Sequence, residues 1–365
     1  MPMKVDFFRH RLGAADAEKI ARVLSTPFLT SGSVCASVED RLCRYFETGH
    51  AALTNSWTNG AVSVLLAMGI GPGDEVVVPA QTFIATANVV ELVGATPVFA
   101  DVDPETFLME AEHVRPHLSE RTKAVIPVHL YGQMVDVRAL RSALHAFSPS
   151  RRIRIIEDCA HSFEGTLDGE RPGGHSDAAV FSFYGTKNVT CGEGGAIITN
   201  DGDLHGAILQ TRLHGMSAMA ADRFRGQRYN HWDMLRLGTK ANLPDLLAAL
   251  LPEQIDTVDE TLELRHRLAE RYRRAFSGGA LQLPAVRPSA KSAEHLFTIG
   301  VPEAVRDASI SALNEAGISV TVNYRAVTDT SYYSGKYPDA ATRTPVSIAW
   351  GRRTISLPLF PGLTA

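Results

Sequence analysis

The sequence holds 365 residues, 36 of them basic and 40 acidic, giving a net charge of −4 mixed along its length. That balance offers no basic stripe for a nucleic-acid backbone, so nucleic acid is not an expected partner. With 45% hydrophobic residues the chain can fill a sizeable core, and at roughly 100 to 200 residues per domain it is about two domains long.

The opening MPMKVDFFRHRLG lacks the apolar core of a signal peptide. No run reaches the roughly 18 apolar residues of a membrane span, so neither export nor a membrane partner is expected. Cys35, Cys43, Cys159 and Cys191 lie far apart without CxxC spacing. That argues against a zinc or other metal site and against a disulfide framework, and it fits a reducing cytoplasm.

Between about residues 50 and 200, the β-branched runs DEVVVPA, TPVFADVD, KAVIPVH, RIRIIED, AAVFSFY and GAIITN alternate with helix-like stretches. Runs that are apolar throughout are strands covered on both faces by helices. The pattern predicts an α/β fold with a mostly parallel sheet. The arginines of SPSRRIRIIED precede an apolar strand and read as its solvated entrance. Near Pro252 the pattern changes. EQIDTVDETLELRHRLAERYRRAF places Val258, Leu262, Ala269, Tyr272 and Phe276 at helical spacings, which predicts a long amphipathic helix. The loop LPAVRPSAKSA follows, then alternating strand-like and polar segments, so residues from about 251 onward form a second, smaller domain.

Four stretches carry candidate chemistry. In LTNSWTNGAVSVLLAMGIGPGDEV, Ser56, Thr58 and Asn59 precede a helix-patterned run. They offer hydroxyl and amide donors at a helix N-terminus, which favours an anion; alone, the stretch is a plain capping sequence. PAQTFIATANVV places Phe83 just after a strand, where an aromatic face can stack on a flat ring; alone, such a residue is more often core. In IIEDCAHSFEG an apolar strand ends in Glu157 and Asp158, and ligands of open α/β sheets bind at such carboxyl ends. FSFYGTKNVTCGEGG delivers Lys187 at the end of another strand. A lysine in an apolar pocket has a depressed pKa and forms Schiff bases, whereas an isolated one is ordinarily solvated. An Asp paired with a pyridinium nitrogen completes what pyridoxal 5′-phosphate needs. Together the four stretches converge on one flat, phosphorylated, aldehyde-bearing ligand.

Taken in order, TSGSVCASVEDRL, NSWTNGA, GIGPGDEVVVPAQTFIATANVV, GATPVFADVDPETF, AVIPVHLYGQ, IIEDCAHSFEG, FSFYGTKNVTCGEGGAIITND and NLPDLLAALLPEQI resemble the DegT-type (DegT/DnrJ/StrS) sugar-nucleotide aminotransferases. These are fold-type I pyridoxal phosphate enzymes, and the likeness runs through nearly the whole chain. It implies a large cofactor-binding domain over residues 1–250, with a mostly parallel seven-stranded sheet covered by helices, and a smaller α+β domain over residues 251–365. It further implies a catalytic set of Lys187, Asp158 and His161. Lys187 would hold the cofactor aldehyde as a Schiff base and shuttle the transferred proton, and Asp158 would pair with the pyridine nitrogen. His161 would lie on the ring-oxygen side and Phe83 would stack on the ring. Thr58 and Asn59 would offer backbone N–H groups to the phosphate, with Ser182 adding a hydroxyl. Asn242, in GTKANLPD, would reach the phosphate of the neighbouring subunit's cofactor, so a homodimer with shared sites is expected.

The implied reaction is ping-pong transamination through pyridoxamine 5′-phosphate. L-glutamate is the donor and a keto sugar nucleotide the acceptor, on a route to amino sugars, lipopolysaccharide or other surface polysaccharide. Three departures bear on substrate. Trp57 stands where many members have glycine and Asn242 where many have arginine, both as in the branch that makes 4-amino-4-deoxy-arabinose nucleotides. In VNYRAVTDTSYY, which resembles a segment near the sugar pocket, Thr328 stands where histidine is common. The sequence stops at LPLFPGLTA, where relatives usually continue into a last helix, which implies either a shortened small domain or a truncated sequence. Two alternatives keep the cofactor: a sugar dehydratase, in which histidine replaces the Schiff-base lysine, and a non-catalytic pyridoxal phosphate-binding regulator. Lys187 argues against the first and the intact set of three against the second. A nucleotide oxidoreductase lacks support, since no GxGxxG follows the first strand.

Overall fold

The structure, a computed structural model, describes residues 4–217 and 231–363. The apolar runs form β1 (His50–Thr54), β2 (Glu75–Pro79), β3 (Thr96–Ala100), β4 (Thr122–Val125), β5 (Arg154–Asp158), β6 (Thr166–Leu167), β7 (Ala178–Ser182) and β8 (Gly195–Thr199). All but the short β6 join one seven-stranded sheet in the order β1-β8-β7-β5-β4-β2-β3. The β2–β3, β2–β4, β4–β5 and β5–β7 pairings are parallel, while β8 runs antiparallel to both β1 and β7. Six strands therefore finish at one edge, the edge at which β8 begins.

Burial on both faces explains why these strands carry no polar alternation. In β7 and β8, Val180 and Ile197 face one core, and Phe181 and Ile198 the other. The helices α1 (Ala14–Leu24), α2 (Ser33–Phe46), α3 (Trp57–Ala67) and α4 (Ala85–Leu92) belong to the two covering layers. Val64 and Leu65 of α3 join the first core, and Val38, Leu42 and Phe46 of α2 the second. The start of α2 is held by a residue far along the chain. Buried Asp245 accepts from the backbone amides of Gly32, Cys35 and Val34 at 2.8, 2.9 and 3.2 Å. The arginines at the entrance of β5 do more than meet solvent, because Arg152 and Arg154 both pair with the buried carboxylate of Asp177, at 2.9 and 2.8 Å.

The long amphipathic helix spans Val258–Phe276, with Val258, Leu262 and Ala269 buried. Its Tyr272 and Phe276 pack in a separate core with Phe297 and Ile299. Those two belong to a strand Phe297–Gly300 that pairs antiparallel with Thr354–Leu357. The chain's opening joins this part of the molecule through a parallel bridge between Val5 and Ile318.

The site-bearing edge depends on one close approach. A Cβ on Gly195 would lie 2.7 Å from the carbonyl carbon of Ser56 and 2.8 Å from both Trp57 N and Phe181 O. Only a residue without a side chain lets the start of α3 settle onto β8. Gly195→Ala should therefore destabilise the fold by about 2 kcal/mol, as overpacking does in tight cores. Denaturant unfolding of the two chains side by side checks this.

Candidate active site

The carboxyl edge of the sheet gathers chemistry from four strand ends. After β1, Ser56 caps α3 by accepting the Asn59 N–H at 3.1 Å. The first amides of a helix have no intrahelical partner, and those of Trp57 and Thr58 meet no acceptor among the described residues, beside the positive end of the helix dipole. Trp57 is buried, and its indole N–H donates to Val180 O at 3.1 Å. The helix start is thereby pinned to β7 as well as to β8.

Asp158 ends β5 and is buried. Its carboxylate accepts from Thr86 Oγ1 at 2.9 Å and from the Ala160 amide at 3.1 Å. Loss of hydration outweighs these bonds and the attraction of Lys187, so its pKa is pushed up to about 6. Lys187 follows β7 in a turn closed by its own amide on Tyr184 O at 2.9 Å. Its side chain keeps some surface, yet the walls displace most water around the ammonium. That desolvation, partly opposed by Asp158, brings its pKa down to about 8.

His161, three residues past the strand end, accepts the Tyr131 amide on Nδ1 at 3.2 Å. Its hydrogen therefore sits on Nε2, which faces Tyr324 Oη at 3.0 Å. Burial first, and then the Lys187 charge, hold this imidazole well below its usual pKa, so it is neutral.

These groups line a cavity of about 540 Å³. At one side lie the α3 amides and Ser182, at another the Asp158 carboxylate, with the half-exposed Phe83 ring and His161 also in its wall. Anion donors, an acid and an aromatic face in one cavity fit a flat phosphorylated heterocycle with a basic ring nitrogen, and Lys187 is placed to meet an aldehyde on it.

The profile of the DegT/DnrJ/EryC1/StrS aminotransferase family matches residues 10–365. The chain belongs to this family. Among solved structures it is similar to a Streptococcus pneumoniae protein described as a sugar aminotransferase, in its PMP form. The two are 28% identical with a TM-score of 0.93, over 99% of this chain and 95% of that one. DesV of S. venezuelae, solved with a ketimine intermediate, is 31% identical with a TM-score of 0.87, over 96% and 90% of the two chains. Helicobacter pylori PseC, an aminotransferase involved in the biosynthesis of pseudoaminic acid, is 25% identical with a TM-score of 0.87, over 99% and 95%.

In this aminotransferase the structure brings Thr58, Phe83, Asp158, His161, Ser182 and Lys187 into one cavity wall. It does not bring Asn59 there, and Asn242, expected at the cofactor of a neighbouring subunit, lies outside this chain's own wall. The Asn59 amide is taken by Ser56 and its side chain donates to Asn55 Oδ1 at 2.8 Å. Asn242 donates to Ser31 Oγ at 2.7 Å and accepts from Lys240 at 2.7 Å. Thr328 lies outside the wall, fully buried and bonded to Thr344 at 2.8 Å. Sequence reasoning missed Thr86 and Tyr324. Thr86 has a local signal, since it stands four residues after Thr82, and the two hydroxyls meet at 2.9 Å. Tyr324 meets His161 across 163 residues of chain, and no local pattern announces that.

The carboxylate gives a pH prediction for the cofactor-free chain. Between about pH 4 and pH 6 the unfolded chain has released the Asp158 proton while the folded one retains it, so the wild type loses stability as pH rises. Asp158→Asn lacks this loss. Its stability relative to wild type should rise by about 2 kcal/mol from pH 4 to pH 6.5, measured by denaturant midpoints at each pH. A flat difference would contradict the burial of an ionising carboxyl.

Proposed function

We propose that this aminotransferase holds pyridoxal 5′-phosphate in the cavity at the carboxyl edge of the sheet. With it, the enzyme moves an amino group from L-glutamate to a keto group of a nucleotide-linked sugar. The observation that carries the proposal is the meeting of Lys187 and Asp158, from two neighbouring strand ends, in a cavity that also opens onto a helix N-terminus. The likeness to proteins described as sugar aminotransferases, one of them in PLP and PMP forms, supports both cofactor and substrate class.

In this reading Thr58, the neighbouring Trp57 amide and Ser182 hold the phosphate, while Asn59 braces the helix turn that presents them. Phe83 and His161 flank the ring and Asp158 holds a proton at the ring nitrogen. The bound cofactor supplies the electron sink that makes a substrate Cα–H acidic. Lys187 takes and returns that proton. A pKa near 8 leaves part of its population as amine at neutral pH and keeps it a competent acid, as reversible transfer requires. His161, neutral and donating from Nε2, holds the Tyr324 oxygen and leaves the phenol hydrogen for a substrate group.

The same proposal includes a homodimer with shared sites. The wall residues Phe83 and Tyr184 are about half exposed, and Leu235 and Leu237, close in sequence to Asn242, are 55% and 70% exposed. A second chain seated there would cover them and bring Asn242 to the neighbouring cofactor. Residues 1–250 would carry the cofactor, with 251–365 as the small domain beside it. No described helix is long and apolar enough to cross a membrane, and a cytoplasmic place on a route to surface polysaccharide fits this. Trp57 and Asn242 favour a 4-keto arabinose nucleotide as acceptor.

Lys187→Ala should abolish the visible absorbance of the cofactor-loaded protein and reduce amino transfer by at least about 10³-fold. Spectra and a coupled glutamate assay read both. Retained colour together with retained rate would refute the lysine's role. Pyridoxamine-loaded wild type, screened against keto sugar nucleotides, should regain the visible band with an arabinose acceptor; a response confined to non-sugar ketones would overturn the substrate class.

A further inference from the structure

Beside Lys187 lies a chain of polar side chains whose hydrogens can be placed by elimination. Asn188 Nδ2 donates to Ala293 O at 2.8 Å and to both Glu164 oxygens at 3.0 Å. The Ala293 carbonyl can only accept, so the amide cannot be turned over without facing acceptor with acceptor. Asn188 Oδ1 therefore points at His295 Nδ1, 3.1 Å away, and an amide oxygen only accepts. The His295 hydrogen sits on Nδ1. Its bare Nε2 then faces Lys187 Nζ at 3.5 Å, the long end for such a bond, as is common at catalytic groups before substrate binds.

We propose that His295 is a positioning residue for the Lys187 amine, accepting a hydrogen bond from it in a tautomer locked by Asn188, whose amide the Ala293 carbonyl orients. The inference rests on the reading of Lys187 as the reacting amine. His295 is buried, and its ring lies 4.3 Å from that of His161. Burial, then His161 and Lys187, keep it well below the usual histidine range, so it stays an acceptor rather than a second cation. The charged and titratable groups around the amine include Asp158 and His161 from the end of β5, Tyr184, Glu193 and Tyr324 in the same cavity wall, His295 ahead of the strand Phe297–Gly300, and Glu164 and Arg265 farther back. Of these, Asp158 stabilises the charge on Lys187 through space, and His295, as an acceptor for the ammonium, both adds to that stabilisation and gives the amine a direction.

The test uses the full chain. Nitrogen-15 histidine spectra of the wild type should show His295 with hydrogen on Nδ1; hydrogen on Nε2 overturns the proposal. Competitive acylation of the cofactor-free chain, read by mass spectrometry at Lys187, gives the pH midpoint of that amine. His295→Phe removes the acceptor, so the midpoint should fall by about half a unit or more. His295→Gln, whose amide oxygen can replace Nε2, should restore most of it. In the loaded enzyme His295→Phe should lower kcat about tenfold with little change in the KM for donor, again with partial rescue by Gln. Equal midpoints in all three chains overturn the proposal. Should the Phe variant not fold, the wild-type tautomer decides. Borohydride reduction of the loaded wild type separates the two readings. No pyridoxyl group at Lys187 sinks the parent assignment, whereas trapping there with unmoved midpoints sinks only the role of His295.

Discussion

Asp158 and Lys187 both lose water at the carboxyl edge of the sheet, and each responds by moving toward its neutral form, the acid up to about 6 and the amine down to about 8. Their mutual attraction opposes both shifts without cancelling either, because desolvation of two ions at a buried position exceeds what one partner returns. The result is an amine able to exchange protons near neutrality beside an acid that is strengthened when a cation binds against it. Most of the surrounding structure keeps this pair fixed without adding charge. Thr86 and the Ala160 amide hold the carboxylate, and the two nearest imidazoles, His161 and His295, are kept neutral by burial.

The side of the cavity at the start of α3 follows a different rule. Here, beside the Ser182 hydroxyl, the donors are backbone amides positioned by helix geometry, and their placement depends on how closely α3 meets the sheet. Gly195 permits the contact, the Trp57 indole fixes it through Val180, and Ser56 takes the one amide that the cavity does not need. A bulky tryptophan beside a phosphate-type turn is thus an anchor beneath the site as well as a part of its wall.

The C-terminal part closes on the same edge through a short relay of polar contacts. Gln81 donates to Tyr324 O at 3.0 Å, Tyr131 donates to Asn323 O at 2.6 Å, and the Trp350 indole donates to Tyr131 Oη at 2.9 Å. Trp350 itself stacks on Phe107 at 3.9 Å between ring centres. Tyr324 therefore sits against His161 on a backbone held from the large sheet.

Much of this was legible in the residues alone. Apolar runs without alternation are a direct record of two-sided burial, so β2, β5, β7 and β8 follow from their own composition, and Lys187 and Asp158 follow from standing where two such runs stop. The helix at Val258–Phe276 follows from its spacing for the same reason, since periodicity is a local property. What pairs with what is not local. Asp245 capping α2, Asn242 on Ser31, Tyr324 on His161, and His295 on Lys187 each join residues more than a hundred positions apart. Only strand order and helix packing bring such residues together, and only burial then decides which of them carry charge.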